Sequence, residues 1–312
     1  MNILITGING FVGSNLVKTL SERHILYGLD IADLRKEGVS RTCFWNEMKE
    51  NSLPTVEIII HLAGLAHDTK NKSKSQDYFD INTGLTKKIY DYFLSSTAGK
   101  FIFFSSVKAV ADTVIGDVLT EDVVPAPKGP YGESKMAAEK YILSNLPAQP
   151  DKSVYIIRPC MIHGPGNKGN LNLLYHVVNK SVPWPLGAFE NHRSFTSVDN
   201  LSYVIEALIS KDVPSGIYNM CDDEVLSTNE LIELICRVTH RRCRIWNLPP
   251  SLIKCFAQVG SILHLPLNND RLRKLTEDYL VSNEKIKKAL GINKMPVSAI
   301  SGFEKTIESF KK

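Results

Sequence analysis

The first thirteen residues limit the fold more than any other part of the chain. Asn2 to Thr6 (NILIT) is a short apolar run that stops at a glycine cluster, as a buried parallel strand does. Gly7, Gly10 and Gly13 follow at three-residue spacing. Apolar residues at 11, 12, 16, 17 and 20 then give Phe11 to Ser21 a helical period. Strand, glycine turn and helix in this order predict the first unit of a parallel sheet with a dinucleotide site at its carboxyl edge. Gly7 would permit the tight turn, Gly10 would let backbone approach a pyrophosphate, and Gly13 would let helix and strand pack closely. The N–H groups at the helix start favour an anion there. Asn9, Phe11 and Val12 complete the predicted cradle.

The same alternation continues. Strands are predicted at Ile25–Leu29, Glu57–Leu62, Lys100–Phe104, Val154–Ile157 and Gly216–Met220. Helices are predicted at Tyr78–Leu94, Ser134–Leu146, Asn170–Lys180 and Val198–Ser210, with a mainly helical tail from Thr228. The fold class is therefore α/β: a doubly wound parallel sheet with a smaller, mainly helical C-terminal lobe for substrate. Residues 1–165 are assigned to the dinucleotide domain, with 195–220 returning to it; 166–194 and 221–312 form the lobe. Asp30 ends the second strand, where a carboxylate can bond an adenosine ribose and repel a 2′-phosphate, or act as a turn cap. The first reading favours NAD over NADP, and Arg35 softens that preference. Trp45 is placed beside the adenine, and Leu62, Ala63 and Gly64, at the end of another strand, beside the cofactor backbone.

Tyr131 and Lys135 lie one helical turn apart and so share a face. A tyrosine of ordinary pKa is a poor base at neutral pH, and a nearby ammonium would favour its phenolate. Ser106 ends the strand before them and can complete a proton path, with Ser105 as the competing candidate. The glycine loop and this pair together point to an enzyme that uses a nicotinamide cofactor.

Composition excludes several other classes. The 312 residues carry 37 basic and 33 acidic side chains, a formal charge of +4 that is too mixed to argue for nucleic acid. The cysteines at 43, 160, 221, 236, 243 and 255 have no metal-ligand spacing and read as reduced structural thiols. No signal peptide is read at the N-terminus, and no apolar run reaches the ~18–20 residues of a membrane span. Leu252 to Leu265 is the longest candidate; interrupted by Lys254, Gln258 and His264, it is read as a helix of the smaller lobe rather than a membrane-surface element. The expected location is cytoplasmic.

The segments TGINGFVGSNL, HLAG, FFSSVKAV, PYGESKMAAE, RPCMIHGPG and RSFTSVDNL, with the tail YLVSNEKIKKALGI, resemble the extended short-chain dehydrogenase/reductase family in its nucleotide-sugar epimerase/dehydratase branch. The resemblance covers nearly the whole chain. It implies a Rossmann-type domain that binds NAD, with Asn82, Ser105 and Pro159 added to the cofactor residues. It implies a catalytic Ser106–Tyr131–Lys135 triad acting on C4 of a UDP-sugar, and a homodimer through the helices near 80–95 and 134–146. On the substrate side it implies Ser106, Lys108, Asn170, Leu171, Leu186, Arg193 and Arg271.

There are departures. Ala109-Val110-Ala111 replaces the usual Val-Tyr-Gly, and HLAG replaces HLAA. Val107-Lys108 stands where a dehydratase carries an Asp-Glu pair, which argues against 4,6-dehydration. The leading reading is a UDP-hexose or UDP-N-acetylhexosamine 4-epimerase. The alternatives are an NAD(P)H-dependent 4-ketoreductase of a UDP-4-keto-6-deoxy sugar in surface-polysaccharide synthesis, and a non-catalytic reader of the NAD(P) redox state.

Overall fold

Ile3, Leu4 and Ile5 are all fully buried, so the first strand is covered on both faces. A computed structural model of the chain, describing residues 1–48, 52–66, 74–114, 116–167, 169–263 and 268–311, shows how. The strands are β1 (Asn2–Thr6), β2 (Ile25–Asp30), β3 (Arg41–Phe44), β4 (Ile58–His61), β5 (Lys100–Phe104), β6 (Ser153–Pro159), β7 (Met161–His163), β8 (Phe195–Ser197) and β9 (Gly216–Met220). Seven of them form one parallel sheet in the order β3-β2-β1-β4-β5-β6-β9, and β7 pairs with β8 in a separate parallel ribbon. The strand order reverses between β1 and β4, which puts the ligand crevice of such a sheet at their carboxyl ends.

The first helices are α1 (Phe11–Leu20), α2 (Ser75–Tyr78), α3 (Leu85–Ser95), α4 (Pro130–Ser144), α5 (Asn170–Asn179) and α6 (Val198–Ser210). The tail adds α7 (Thr228–Val238), α8 (Pro250–Ile262), α9 (Asn269–Thr276), α10 (Glu284–Leu290) and α11 (Ala299–Ser309). Alternation along β1 sends Ile3 and Ile5 into a core with Leu16 and Leu20 of α1 and Leu201 and Leu208 of α6. Leu4 enters the opposite core, with Ile89 and Phe93 of α3 and Ala138 and Ile142 of α4. The sheet is thus wound on both sides. A third core joins α5, α7, α8, α9 and α11 through Leu171, Ile235, Ile253, Leu272 and Phe303.

Several bounds differ from the pattern reading. The helix predicted from Ser134 begins at Pro130, because a proline suits the first turn, where its missing N–H costs nothing. The helix predicted over 78–94 is real but contains a π-helical turn at Phe79–Gly84 between α2 and α3. The short strands β3, β7 and β8 escape a periodicity reading, having only three or four residues each. The segment 182–187 is extended, and Trp184 and Leu186 bridge to Ile245 and Asn247.

Candidate active site

The glycine loop is held shut by its neighbours. Gly7 has φ +69°, a conformation natural to glycine, and a Cβ there would lie 2.8 Å from the Ala63 nitrogen. At Gly13 a Cβ would lie 2.7 Å from the carbonyl oxygens of Gly7 and Ile8. Gly10 differs: a Cβ there would meet only the Gly7 carbonyl oxygen, so its outer side is open to an approaching ligand. Asp30 accepts the backbone N–H of Asn9 at 3.0 Å and that of Ile31 at 2.7 Å, which ties the loop to the end of β2. The cation beside Asp30 that reaches the loop is Lys36 rather than Arg35; its Nζ donates to the Ile8 carbonyl and to Ser14 Oγ, each at 2.7 Å. Asn9 Nδ2 donates to the Ala32 carbonyl, while its buried Oδ1 has no partner. Across the crevice, Asn15 Nδ2 donates to the Phe11 and Pro165 carbonyls and so draws the 163–167 loop over α1. Phe11 and Val12 begin α1, and Pro159 ends β6, paired with Met220. Trp45 is half-buried and packs against the core beside β2.

A buried hydrogen-bond chain joins this crevice to α4. Thr86 donates to the Asn82 carbonyl at 2.6 Å, so it accepts from His61 Nε2–H at 2.9 Å. His61 Nδ1 is then the acceptor for Thr6 Oγ1, 2.6 Å away. Burial holds the His61 imidazolium well below the usual histidine range, consistent with this neutral form. Asn82, in the π-helical turn, accepts from the Leu65 N–H and donates to the Leu65 carbonyl and to Ser134 Oγ. Its amide clamps the segment after Leu62 to α4, so it acts on a ligand through position.

Ser106 and Tyr131 come together. The Ser106 side chain is near enough to the Tyr131 phenol to ease its ionisation, and its Oγ accepts the Lys108 N–H at 3.2 Å. Burial pushes the Tyr131 phenol up, the Ser106 side chain pulls it down, and Tyr78, edge-on at 6.5 Å between ring centroids, raises it again. Ser106 is the neighbour that eases it here. Lys135 donates to the Phe104 carbonyl at 2.8 Å, lies 5.1 Å above the Phe103 ring, and would be 3.1 Å from a Cβ on Gly64. Its ammonium is therefore under the crevice floor, beside Gly64. Burial lowers it to about 8, against the pull of Glu139.

Successive strand residues face opposite ways, and Ser105 is turned from the crevice. Its hydroxyl donates to Glu139, which also receives Arg158 Nε at 2.9 Å and Nη2 at 2.5 Å. Ser105 is thus a support, and Ser106 is the hydroxyl beside the tyrosine. Sequence reasoning missed Glu139, Arg158, His61 and Thr86, whose partners lie on other elements. It also missed Gly132, where a Cβ would sit 2.4 Å from the Lys108 carbonyl oxygen. That contact brings α4 down on the turn carrying Ser106. Gly132→Ala is expected to cost about 1–3 kcal/mol in denaturant unfolding and about tenfold in turnover by separating Tyr131 from Ser106. Unchanged turnover in a destabilised variant would limit Gly132 to packing.

Two residues beyond Ser106 lies a shallow cleft lined by Lys108, Asp112, Arg193, Arg273, Lys274, Glu277, Asp278 and Tyr279. Lys108 Nζ donates to the Asp112 carbonyl at 2.6 Å and sits 4.2 Å above the Tyr279 ring. Arg273 donates to Asp112 at 2.9 Å, and Arg193 to the Lys274 carbonyl. Burial lowers both the Lys108 ammonium and the Arg193 guanidinium. Of the arginines on α9, Arg273 rather than Arg271 lines this cleft. Leu171 and Leu186 are buried in the lobe core, with 1% and 3% exposure, and support the site from behind. Asn170 opens α5, but its side chain is outside the described residues.

With this geometry, the match to known proteins is decisive. Residues 3–221 fit the family model described as the NAD dependent epimerase/dehydratase family. The chain belongs to that family. It is 29% identical to a Vibrio cholerae protein named UDP-glucose 4-epimerase, over 99% of this chain and 95% of the relative. It is 26% identical to the N-acetyl-alpha-D-glucosaminyl-diphospho-ditrans,octacis-undecaprenol 4-epimerase of Escherichia coli O157:H7, over 97% and 90%. Its fold superimposes on the structure of MoeE5 in complex with UDP-glucuronic acid and NAD with a TM-score of 0.77 at 21% identity, covering 100% and 99%. NAD is the cofactor of this family member. The open face at Gly10, the close contacts at Gly7 and Gly13, and the orphaned Asn9 Oδ1 fit a bound dinucleotide. All six cysteines are free, and no metal-binding cluster occurs among the described residues.

Proposed function

We propose that the chain is a nucleotide-sugar 4-epimerase, interconverting a UDP-hexose or UDP-N-acetylhexosamine through a transient 4-keto sugar. The observation that carries this reading is the Tyr131–Ser106 hydroxyl pair, placed between the glycine cradle and the cation-lined cleft. A sugar reaching from the cleft toward the cradle would present its C4 hydroxyl at that pair. The names of the two relatives, each a 4-epimerase, support the same chemistry.

When bound, NAD would accept a hydride from C4 and return it. Tyr131 takes the C4 hydroxyl proton, and Ser106 holds that hydroxyl and relays the proton. Lys135, with Gly7, Gly10, Gly13, Asp30 and Gly64, would hold the dinucleotide. Lys108, Arg193 and Arg273 would take the diphosphate, since it needs cations and offers oxygens to a guanidinium fork. Return of hydride to the other face of the sugar ring requires the keto sugar to turn in place, and the Tyr131–Ser106 pair serves both faces because it contacts only the oxygen. The same reading places the enzyme in the cytoplasm as a homodimer through α3 and α4, with residues 166–194 and 221–312 as the substrate lobe.

The test is an NMR time course of purified protein with UDP-N-acetylglucosamine and no added cofactor. Appearance of the galacto epimer is expected. No conversion of it or of UDP-glucose by folded protein, with NAD(P)H oxidation in the presence of a UDP-4-keto-6-deoxy sugar, would replace the epimerase with a ketoreductase.

A further inference from the structure

Helix α8 has two apolar faces, and only one of them is covered. Ile253, Ala257 and Gly260 are buried against the lobe. Leu252, Phe256, Val259 and Leu263 follow at i, i+4, i+7 and i+11, which makes one ridge of a helix. They are 44%, 57%, 45% and 61% exposed, and Ile262 beside them is 72% exposed. Single exposed apolar residues need no explanation, but a contiguous ridge marks a binding surface. Trp246, 53% exposed, stands in the segment that leads into the helix.

Charge decides what covers this ridge. Arg241, Arg242, Arg244 and Lys254 are all exposed, and no acidic residue occurs from Thr239 to Leu263. The whole chain is nearly balanced, so this stretch is a local departure. A second copy seated on the ridge would bring two sets of cations together. An anionic bilayer complements both features: its headgroups take the cations, its acyl boundary takes the ridge, and its interfacial zone takes an amphipathic indole. We propose that α8 and the segment before it dock on an anionic lipid surface, with the helix lying in the plane of the headgroups. No helix among the described residues is long and apolar enough to cross a membrane, so the contact is peripheral. Helix α8 packs on α9, which carries Arg273 and Lys274 of the cation-lined cleft. Docking therefore brings that cleft close to the membrane surface.

The test uses the full chain with vesicles of phosphatidylcholine alone and of phosphatidylcholine with about one third phosphatidylglycerol. Co-sedimentation with the anionic vesicles is expected, with a blue shift in tryptophan emission that Trp246→Phe removes. Phe256→Glu combined with Ile262→Glu should abolish binding, and Arg241→Gln, Arg242→Gln and Arg244→Gln should each weaken it about fivefold, as expected for one cation near an anionic surface. These variants should keep the turnover of a soluble nucleotide sugar, because none touches the site; loss of docking is thus separable from failure of the catalytic reading. Equal binding to both vesicle types, equal binding by the double glutamate variant, or binding to neither would overturn the proposal. So would a concentration-dependent dimer, without vesicles, that the glutamates dissociate, since the ridge would then belong to a second copy.

Discussion

Tyr131→Phe is expected to lower turnover by about 10²-fold or more, the usual contribution of a general acid/base group, while NAD stays bound. The change deletes one oxygen and keeps the ring that packs edge-on against Tyr78. It leaves the Ser106 hydroxyl with the Lys108 N–H it accepts. The cradle at Gly7, Gly10 and Gly13 is untouched, so the cofactor released on denaturation, measured by absorbance, should match that of the parent protein. Ser106→Ala should cost less, because Tyr131 would keep its proton-transfer role while the C4 hydroxyl loses the side chain that positions it. A Tyr131→Phe variant with near-normal turnover would remove Tyr131 from the reaction. A loss of turnover that tracks a loss of bound NAD would make the tyrosine a cofactor contact only.

The parts of the site that the sequence discloses are those set by local geometry. Gly7, Gly10 and Gly13 are legible because one turn between a strand and a helix must satisfy all three constraints at once. Tyr131 and Lys135 are legible because a helix places i and i+4 on one face. The parts that stay hidden depend on which elements become neighbours. Glu139 meets Arg158 and Ser105 only because β5 and β6 are adjacent and α4 crosses above them. Gly132 reads as an ordinary helix residue until the Lys108 carbonyl is seen against it. Lys135 looks like a partner for the Tyr131 oxygen until the Phe104 carbonyl is seen to hold it. Arg271 is the candidate the sequence offers on this helix, whereas Arg273 is the arginine that lines the cleft. The fold was easier to read than the substrate side for the same reason. Strands and helices repeat over many residues, whereas the cleft is assembled from single side chains on the Ser106 turn, the segment before β8 that bears Arg193, and α9.

Glu139→Ala should be the most destabilising single change in this region, by about 3–5 kcal/mol, the range for removing one partner of a buried ion pair. Arg158 is 2% exposed and Glu139 fully buried. Without the carboxylate, a guanidinium whose Nη1 already lacks a partner would lose both of its paired nitrogens as well. Denaturant unfolding monitored by circular dichroism measures this. Glu139→Gln separates support from electrostatics: the amide keeps the shape and its one carbonyl oxygen can still accept from Ser105 and Arg158 Nε, while its NH2 would face Arg158 Nη2, so the loss of stability should be smaller than for Ala but not absent. Its effect on rate should appear in the pH profile. Burial lowers the Lys135 ammonium to about 8, and the Glu139 charge opposes that lowering. Removing the charge makes the ammonium harder still to keep, so Lys135 turns neutral at a lower pH. The alkaline limb of the turnover profile should then move toward neutral pH in Glu139→Gln. A profile that stays in place while stability falls would show that Glu139 holds the sheet and helix together without setting the charge of Lys135.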